Sequence, residues 1–384
     1  MFKKSIILGL AMSLMFSLSL AGCSGSEKTV TKDTAQQTTQ AAPDSTPAQK
    51  PVVAGFIFSS TAGDGGWTYQ HNEARKYVEK ELGSQGVKTI FKESVPEGPD
   101  VEKVAKDMID QGANIIFGIS FGYRDYLVKV AKEHPEVKFM HSSGDIQLDN
   151  MSTYFGRIYQ PRYLSGIVAG MKSKSNKIGY VAAFDIPQVI RGIDAFTLGV
   201  RAVNPNARVI IKWTNTWYDP AKEKDAAKAL LDEGCDVIAQ HQDTTGPQVA
   251  AEEKGAFAIG YHSDSKNAAP KAYMTAPVWD WGKYYVKQIK AVMEGTWKSE
   301  NYWGSMNDGV VFLAPLTDNA PAGAKEKVAE MEKKIRDGSW DVFTGPIKDQ
   351  DGVVRVPEGV KMTDKEMWNM NWFVEGVEGK ITKK

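Results

Sequence analysis

"KIGYVAAFDIPQVIRGIDAFTLGVRAVNP" (residues 177–205) decides the fold. Its first eight residues form an apolar run of strand length, and the remainder, from Pro187, reads as a helix. The same unit recurs on both sides. Upstream lie the strand-like runs "VVAGFIF" (52–58), "VKTIFKES" (87–94), "NIIFGIS" (114–120) and "VKFMHSS" (137–143). Between them lie the helical stretches "GWTYQHNEARKYVEKELG", "DVEKVAKDMIDQGA" and "FGYRDYLVKVAKEHP". Downstream, "RVIIKWTNT", "CDVIAQH" and "FAIGYHS" alternate with "PAKEKDAAKALLDEG" and "TTGPQVAAEEKG". A regular β-α-β alternation implies parallel sheets wrapped by helices, and it is long enough here for two of them. The fold class is α/β with two lobes, the first ending near Lys177. "KAYMTAPVW" and "DWGKYYVKQIKAVMEGTW" are expected to return to the first lobe, so that repeated crossings make a hinge. The tail beyond Pro321 carries one clear helix, "AGAKEKVAEMEKKIRDG".

With 384 residues the chain can bury two lobes' worth of core. Lys+Arg and Asp+Glu balance at 47 each, which argues against nucleic acid as an electrostatic partner. The N-terminus reads as a targeting segment: Lys3 and Lys4, then an apolar run, then "LAGC" ending at Cys23. "LAGC" resembles a bacterial lipobox, which implies cleavage before Cys23 and lipidation of that cysteine. Residues 24–50 are polar and low in apolar content, as expected of a tether. The other cysteine, Cys235, is expected to be a free buried thiol. The expected division is therefore a leader at 1–22, a tether at 23–50, and the first lobe at 51–176. The second lobe follows at 177–272, a return to the first at 273–316, and a second return with a C-terminal extension at 317–384.

In open parallel sheets, ligands bind beyond the carboxyl ends of the strands. Those ends read "SSTAGDGGW", "SFGY", "HSSGD", "FDIPQVIR", "TNTWYDP", "QHQDTTG", "YHSDS" and "VWDW". They supply the candidate ligand-binding residues Asp64, Trp67, Thr68, Phe121, Ser143, Arg191, Trp217, Asp243, His262, Asp264 and Trp279. Aromatic and polar side chains dominate this set. A phosphate loop, a full G-x-G-x-x-G and a G-x-S-x-G elbow are all lacking, which weighs against nucleotide binding and serine hydrolysis. Gly63, Gly65 and Gly66 precede a helix whose free N–H groups could face a ligand. Trp279 and Trp281 alternate, so one would face the crevice and the other the core. His141, His241 and His262 each end an apolar strand, which leaves zinc as an alternative ligand. No cofactor is expected.

The residues carry a resemblance. "GDGGWTYQHNEAR", "FGRIYQPRYLSGIVAG", "TNTWYDPAKEKDAAKALLDEGCDVIAQH" and "AIGYHSDS", in this order, resemble the basic membrane protein family. These are substrate-binding lipoproteins of ABC transporters with the type I periplasmic binding protein fold. The resemblance implies a non-enzymatic receptor lipid-anchored outside the cytoplasm, with permease and ATPase partners and a purine nucleobase or nucleoside as ligand. It matches the family's D-G-S-F-N motif to Asp64, Gly65, Gly66, Trp67 and Thr68, and the second stacking aromatic to Trp217. The family's ribose-binding acid falls on His262, its lysine near Trp279, and its base-reading aspartate near Ser143. All three departures remove charge. They resemble the branch of the family associated with adenine, with a purine nucleoside receptor, or a zinc-binding or structural lipoprotein, as alternatives. "TYFGRIYQPRYLSGIVAG" (153–170), broken by Pro161, would serve as hinge scaffold, with Gly156 and Gly166 permitting close packing and Tyr154 and Tyr159 as braces.

Overall fold

Short apolar runs become strands and the amphipathic stretches between them become helices, in the order read from the sequence. In the computed structural model, which describes residues 51–382, the first lobe runs β1 (Val53–Ile57), α1 (Trp67–Leu82), β2 (Lys88–Lys92), α2 (Asp100–Asp110) and β3 (Ala113–Gly118). It continues through α3 (Arg124–Glu133), β4 (Lys138–Ser142), β5 (Met151–Gly156) and α4 (Tyr159–Lys172). Next come β6 (Lys177–Ala182), α5 (Pro187–Val203), β7 (Arg208–Trp213), α6 (Pro220–Asp232), β8 (Val237–His241), α7 (Gly246–Glu253), β9 (Phe257–Ile259) and β10 (Tyr273–Thr275). Then follow β11 (Pro277–Trp279), α8 (Gly282–Met293), β12 (Asn301–Gly304), β13 (Val311–Leu313) and α9 (Ala324–Arg336). The tail adds β14 (Ile347–Lys348), β15 (Val354–Val356), α10 (Asp364–Trp368) and β16 (Val377–Glu378). The leader at 1–22, Cys23 and the tether at 23–50 lie outside the described residues. No helix among the described residues is long and apolar enough to cross a membrane.

Two six-stranded sheets form, ordered β12-β5-β4-β3-β1-β2 and β10-β9-β8-β6-β7-β16. Every strand pairing within them is parallel. The chain crosses between them after β5, after β10 and again beyond β13. The expected return at 273 falls inside β10, which pairs with β9 in the second sheet, so the crossing comes a few residues later, at β11. β11 and β13 pair antiparallel as a separate ribbon. The last strand, β16, closes the edge of the second sheet beside β7.

The segment expected to break at Pro161 does not. Pro161 sits in the first turn of α4, where its missing N–H has no intrahelical partner to lose. α4 then lies against α5 with backbone in direct contact. A Cβ on Gly166 would collide with the Phe196 carbonyl, and one on Gly199 with the Tyr163 carbonyl. Both helices are buried nearly throughout. Tyr154 pairs its hydroxyl with Tyr285 at 2.7 Å, and Tyr159 packs its ring on Phe343 and Trp303. A single apolar cluster runs from Phe56 and Phe117 through Tyr154 and Trp279 to Ile178 and Val209. Burial at about 25 cal/mol per Å² makes such a continuous cluster the main stabilising term. Cys235 is free and buried.

Candidate functional site

A cleft of about 420 Å³ of empty space lies where the carboxyl ends of the two sheets face each other. The first lobe contributes Ser59, Trp67, Ile119, Ser120, Phe121, Ser143 and Phe155. The second contributes Gln188, Trp217, His241, Asp243, Tyr261 and His262, and β11 contributes Trp279. The strand ends thus bring together seven of the expected residues: Trp67, Phe121, Ser143, Trp217, Asp243, His262 and Trp279.

Four expected residues are placed elsewhere. Asp64 points back into its own loop: Oδ1 accepts from the backbone N–H of Gly66 and Tyr69, both at 2.8 Å, and Oδ2 accepts from Thr68 N–H at 3.1 Å and Ser60 Oγ at 2.5 Å. The helix N-terminus is therefore occupied by the protein's own acid, not offered to a ligand. Burial raises the Asp64 carboxyl above its ordinary value against those hydrogen bonds. Thr68 turns its hydroxyl to Ser60 at 2.7 Å. Arg191 is buried behind the cleft, donating to the Met367 carbonyl and lying over Trp303 and Trp368. Asp264 pairs with Lys266.

Trp67 is held by its Nε1–H, which donates to the Ile119 carbonyl at 2.8 Å. Its ring meets Trp279 edge-on at 5.2 Å. Trp217, on the opposite lobe, stands edge-on to Phe184 at 5.0 Å. Trp279 lines the cleft and Trp281 is fully buried in the core, but strand alternation is not the cause. β11 ends at Trp279, the chain turns into α8, and the two indoles stack at 5.3 Å with planes 17° apart.

Three buried side chains line up on the second-lobe side of the cleft. Trp279 Nε1–H donates to His262 Nδ1 at 3.0 Å, and His262 Nε2 lies 3.0 Å from Asp243 Oδ1. An indole N–H can only donate, so Nδ1 is the unprotonated nitrogen and Nε2 carries the proton toward Asp243. The imidazole is neutral. Burial holds its pKa well below the ordinary value, helped by the positive field of Arg162 and the neighbouring His71. Burial also raises the Asp243 carboxyl well above its usual range, with Asp64 and Glu223 adding to the effect. Behind His262 the Tyr261 ring lies tilted at 3.6 Å, and the Arg162 guanidinium lies 3.5 Å over that ring. His262 (φ 68°) and Ser143 (φ 56°) both adopt the left-handed backbone region, a strain of about 1–2 kcal/mol that packing must hold in place.

The lobes touch at the cleft rim. Ser263 Oγ donates to the Gly65 carbonyl at 2.5 Å, and Gly66 lies so close to Asp243 that a Cβ would collide with its carbonyl. The three strand-end histidines do not converge as a metal site. His141 bonds the Ser120 carbonyl, whereas His241 and His262 flank Tyr261. Among the described residues no group of three or more His, Cys, Asp or Glu side chains is arranged to hold a metal ion. Sequence reasoning missed Phe155, Gln188 and Tyr261. Phe155 ends a strand that had been assigned to scaffold, Gln188 stands three residues before the chosen Arg191, and Tyr261 directly precedes His262.

A profile of the family described as ABC transporter substrate-binding protein, PnrA-like, matches residues 51–339. A purine-binding protein of Brucella abortus is 45% identical over 334 residues, covering 87% of this chain and 95% of that protein. A putative ABC transporter glucose-binding protein of Haloferax volcanii is 36% identical over 379 residues, covering 94% of this chain and 93% of that protein. Among solved structures, an ABC transporter solute-binding protein of Aeropyrum pernix superposes with a TM-score of 0.66 at 21% identity, covering 79% of this chain and 94% of that one. Another from Conexibacter woesei gives 0.62 at 23% identity, covering 76% and 98%. At these identities the structural likeness speaks for the fold, which is that of a type I periplasmic binding protein. The chain belongs to the PnrA-like family of ABC transporter substrate-binding proteins.

Proposed function

We propose that this protein captures a purine nucleobase of the adenine type between its lobes and presents it to an ABC importer, outside the cytoplasm and anchored through a lipid on Cys23. The observation that carries the reading is the Trp279–His262–Asp243 chain. His262 and Trp279 fall where the family resemblance places the ribose-holding acid and lysine. Here they are buried and engaged with each other, with 4% and 1% of their surface exposed. A sugar needs volume and hydroxyl partners, and this side of the cleft offers neither. The rest of the cleft suits a flat heteroaromatic ring: Trp67 and Phe155 come from one lobe and Trp217 from the other. The purine-binding relative at 45% identity supports the same ligand class. Closure on the base would favour the state that the permease recognises.

Calorimetric titration with adenine, adenosine and glucose tests this. Adenine should bind more tightly than adenosine by at least about tenfold, roughly 1.4 kcal/mol, and glucose should not bind. Adenosine binding as tightly as adenine would favour a nucleoside receptor. Tight glucose binding without purine binding would overturn both readings.

A further inference from the structure

Most polar side chains around the cleft are already satisfied within the protein. Trp67 donates to Ile119 O, Trp279 to His262, and His262 faces Asp243. Ser120 Oγ donates to Glu97 and Ser143 Oγ to the Ser142 carbonyl. Tyr261 pairs its hydroxyl with His241 Nε2. Among the described lining residues, two buried polar atoms are left without a partner: His241 Nδ1 and Gln188 Oε1. His241 Nδ1 does not face the cleft. It lies 3.2 Å from where a Cβ on Gly192 would sit, turned toward α5. Gln188, the second residue of α5, lines the cleft and holds the other unmet acceptor. A buried polar atom without a partner is costly unless something arrives to satisfy it.

We infer that Gln188 is the specificity-determining residue that selects purines with a 6-amino group; this rests on the nucleobase reading above. A carboxamide offers one acceptor and, beside it, one donor pair. Adenine presents the complement: an exocyclic amine that donates and an adjacent ring nitrogen that accepts. The Gln188 carbonyl takes an amine hydrogen, and the Gln188 NH2 takes the ring nitrogen. With the carboxamide in the orientation seen here, its carbonyl the buried end, a 6-oxo purine presents an oxygen to that carbonyl, acceptor against acceptor. Unsubstituted purine leaves it unpaired.

The test is a cycle of ligand and protein changes followed by calorimetry: adenine, unsubstituted purine and hypoxanthine against the parent and Gln188→Leu. The parent should bind adenine at least about tenfold tighter than purine or hypoxanthine, the penalty expected when a site built for a donor meets a ligand lacking it. In Gln188→Leu the adenine-to-purine ratio should fall to near one, with adenine losing more than purine, which gives up only the bond to its ring nitrogen. A variant that keeps the parent's ratio overturns the assignment, as does a parent that binds purine or hypoxanthine as tightly as adenine. Where leucine unsettles the fold, Gln188→Glu keeps an acceptor and loses the donor. It should weaken adenine about tenfold, and unchanged affinity counts against the assignment. A parent that binds none of the three bases sinks the nucleobase reading itself, whereas base binding indifferent to Gln188 sinks only this one.

Discussion

The indole of Trp279 donates to Nδ1 of His262 across 3.0 Å, and this one bond ties the strand that crosses between the lobes to the loop after β9. The backbone repeats the link, since Trp279 N–H donates to the His262 carbonyl. Trp279→Phe keeps most of the bulk and removes the donor, leaving a buried imidazole nitrogen unpaired. Stability should fall by about 1–3 kcal/mol, read as a lower urea midpoint with an unchanged slope. A midpoint equal to the parent's would show that the bond contributes nothing.

Restoring charge on that side should change the preferred ligand. In the double variant Trp279→Lys with His262→Asp, an amine and a carboxylate become available to ribose hydroxyls. The preference for adenine over adenosine should narrow or reverse. Competition titration checks it, and a preference as large as the parent's would mean that ribose is excluded by other residues.

Trp67 and Trp217 approach the cleft from opposite lobes, and each is packed on its outer side. Truncating either to alanine should weaken base binding by roughly 1–3 kcal/mol, the range for base–aromatic stacking. Trp67→Ala should also cost some stability, because Trp67 anchors to Ile119 O. Two variants that bind adenine like the parent would rule out the sandwich.

Gly66 makes closure possible. Its φ and ψ, both −121°, lie outside the regions that residues with a Cβ favour, and an added methyl would also strike the Asp243 carbonyl across the cleft. Gly66→Ala should lose some stability to that backbone and bind adenine at least about tenfold more weakly, as expected when the competent state is depopulated. Small-angle scattering should show a larger radius with ligand present. Parent-like affinity would mean that the lobes need not approach this closely.

Glu223 provides a pH test. Its carboxylate accepts from Thr244 N–H and Oγ and from Asp219 N–H, joining α6 to the loop that carries Asp243. Burial pushes its pKa from 4.5 to about 7. A raised carboxyl stabilises the fold fully below pH 4.5 and progressively less as pH rises through 7. Glu223→Gln keeps one acceptor oxygen, gives up the bonds of the other at every pH, and removes this titration. The stability of the variant relative to the parent should therefore climb with pH across the window, by at most about 1.4 kcal/mol per unit. A flat difference between pH 4.5 and 7 would show that the carboxyl titrates normally.

The strand–helix alternation was legible because the central parallel strands are buried on both faces and read as apolar runs, as in "NIIFGIS" and "CDVIAQH". Strand ends then led to Trp67, Trp217, His262 and Trp279. What was not legible depended on partners distant in sequence. β12 reads "NYWG" and β16 is a two-residue strand, and both exist only because an edge of a sheet awaits them. Phe155 looked like scaffold because its strand leads into the glycine-packed helix, but it is the last side chain before that turn and so reaches the cleft. The Asp64 carboxylate sits in a loop that could equally have served a ligand; only the geometry shows it folded onto its own helix.

That inward turn of Asp64 sets a limit on cargo. Phosphorylated solutes bind proteins most readily where a helix start leaves its amide hydrogens unclaimed. Here those of Gly66, Thr68 and Tyr69 are claimed from within, by a group that is itself acidic. A nucleotide arriving at this mouth would find these three donors taken and an acid in the place its phosphate would want. This mouth of the cleft therefore disfavours phosphorylated solutes relative to uncharged ones.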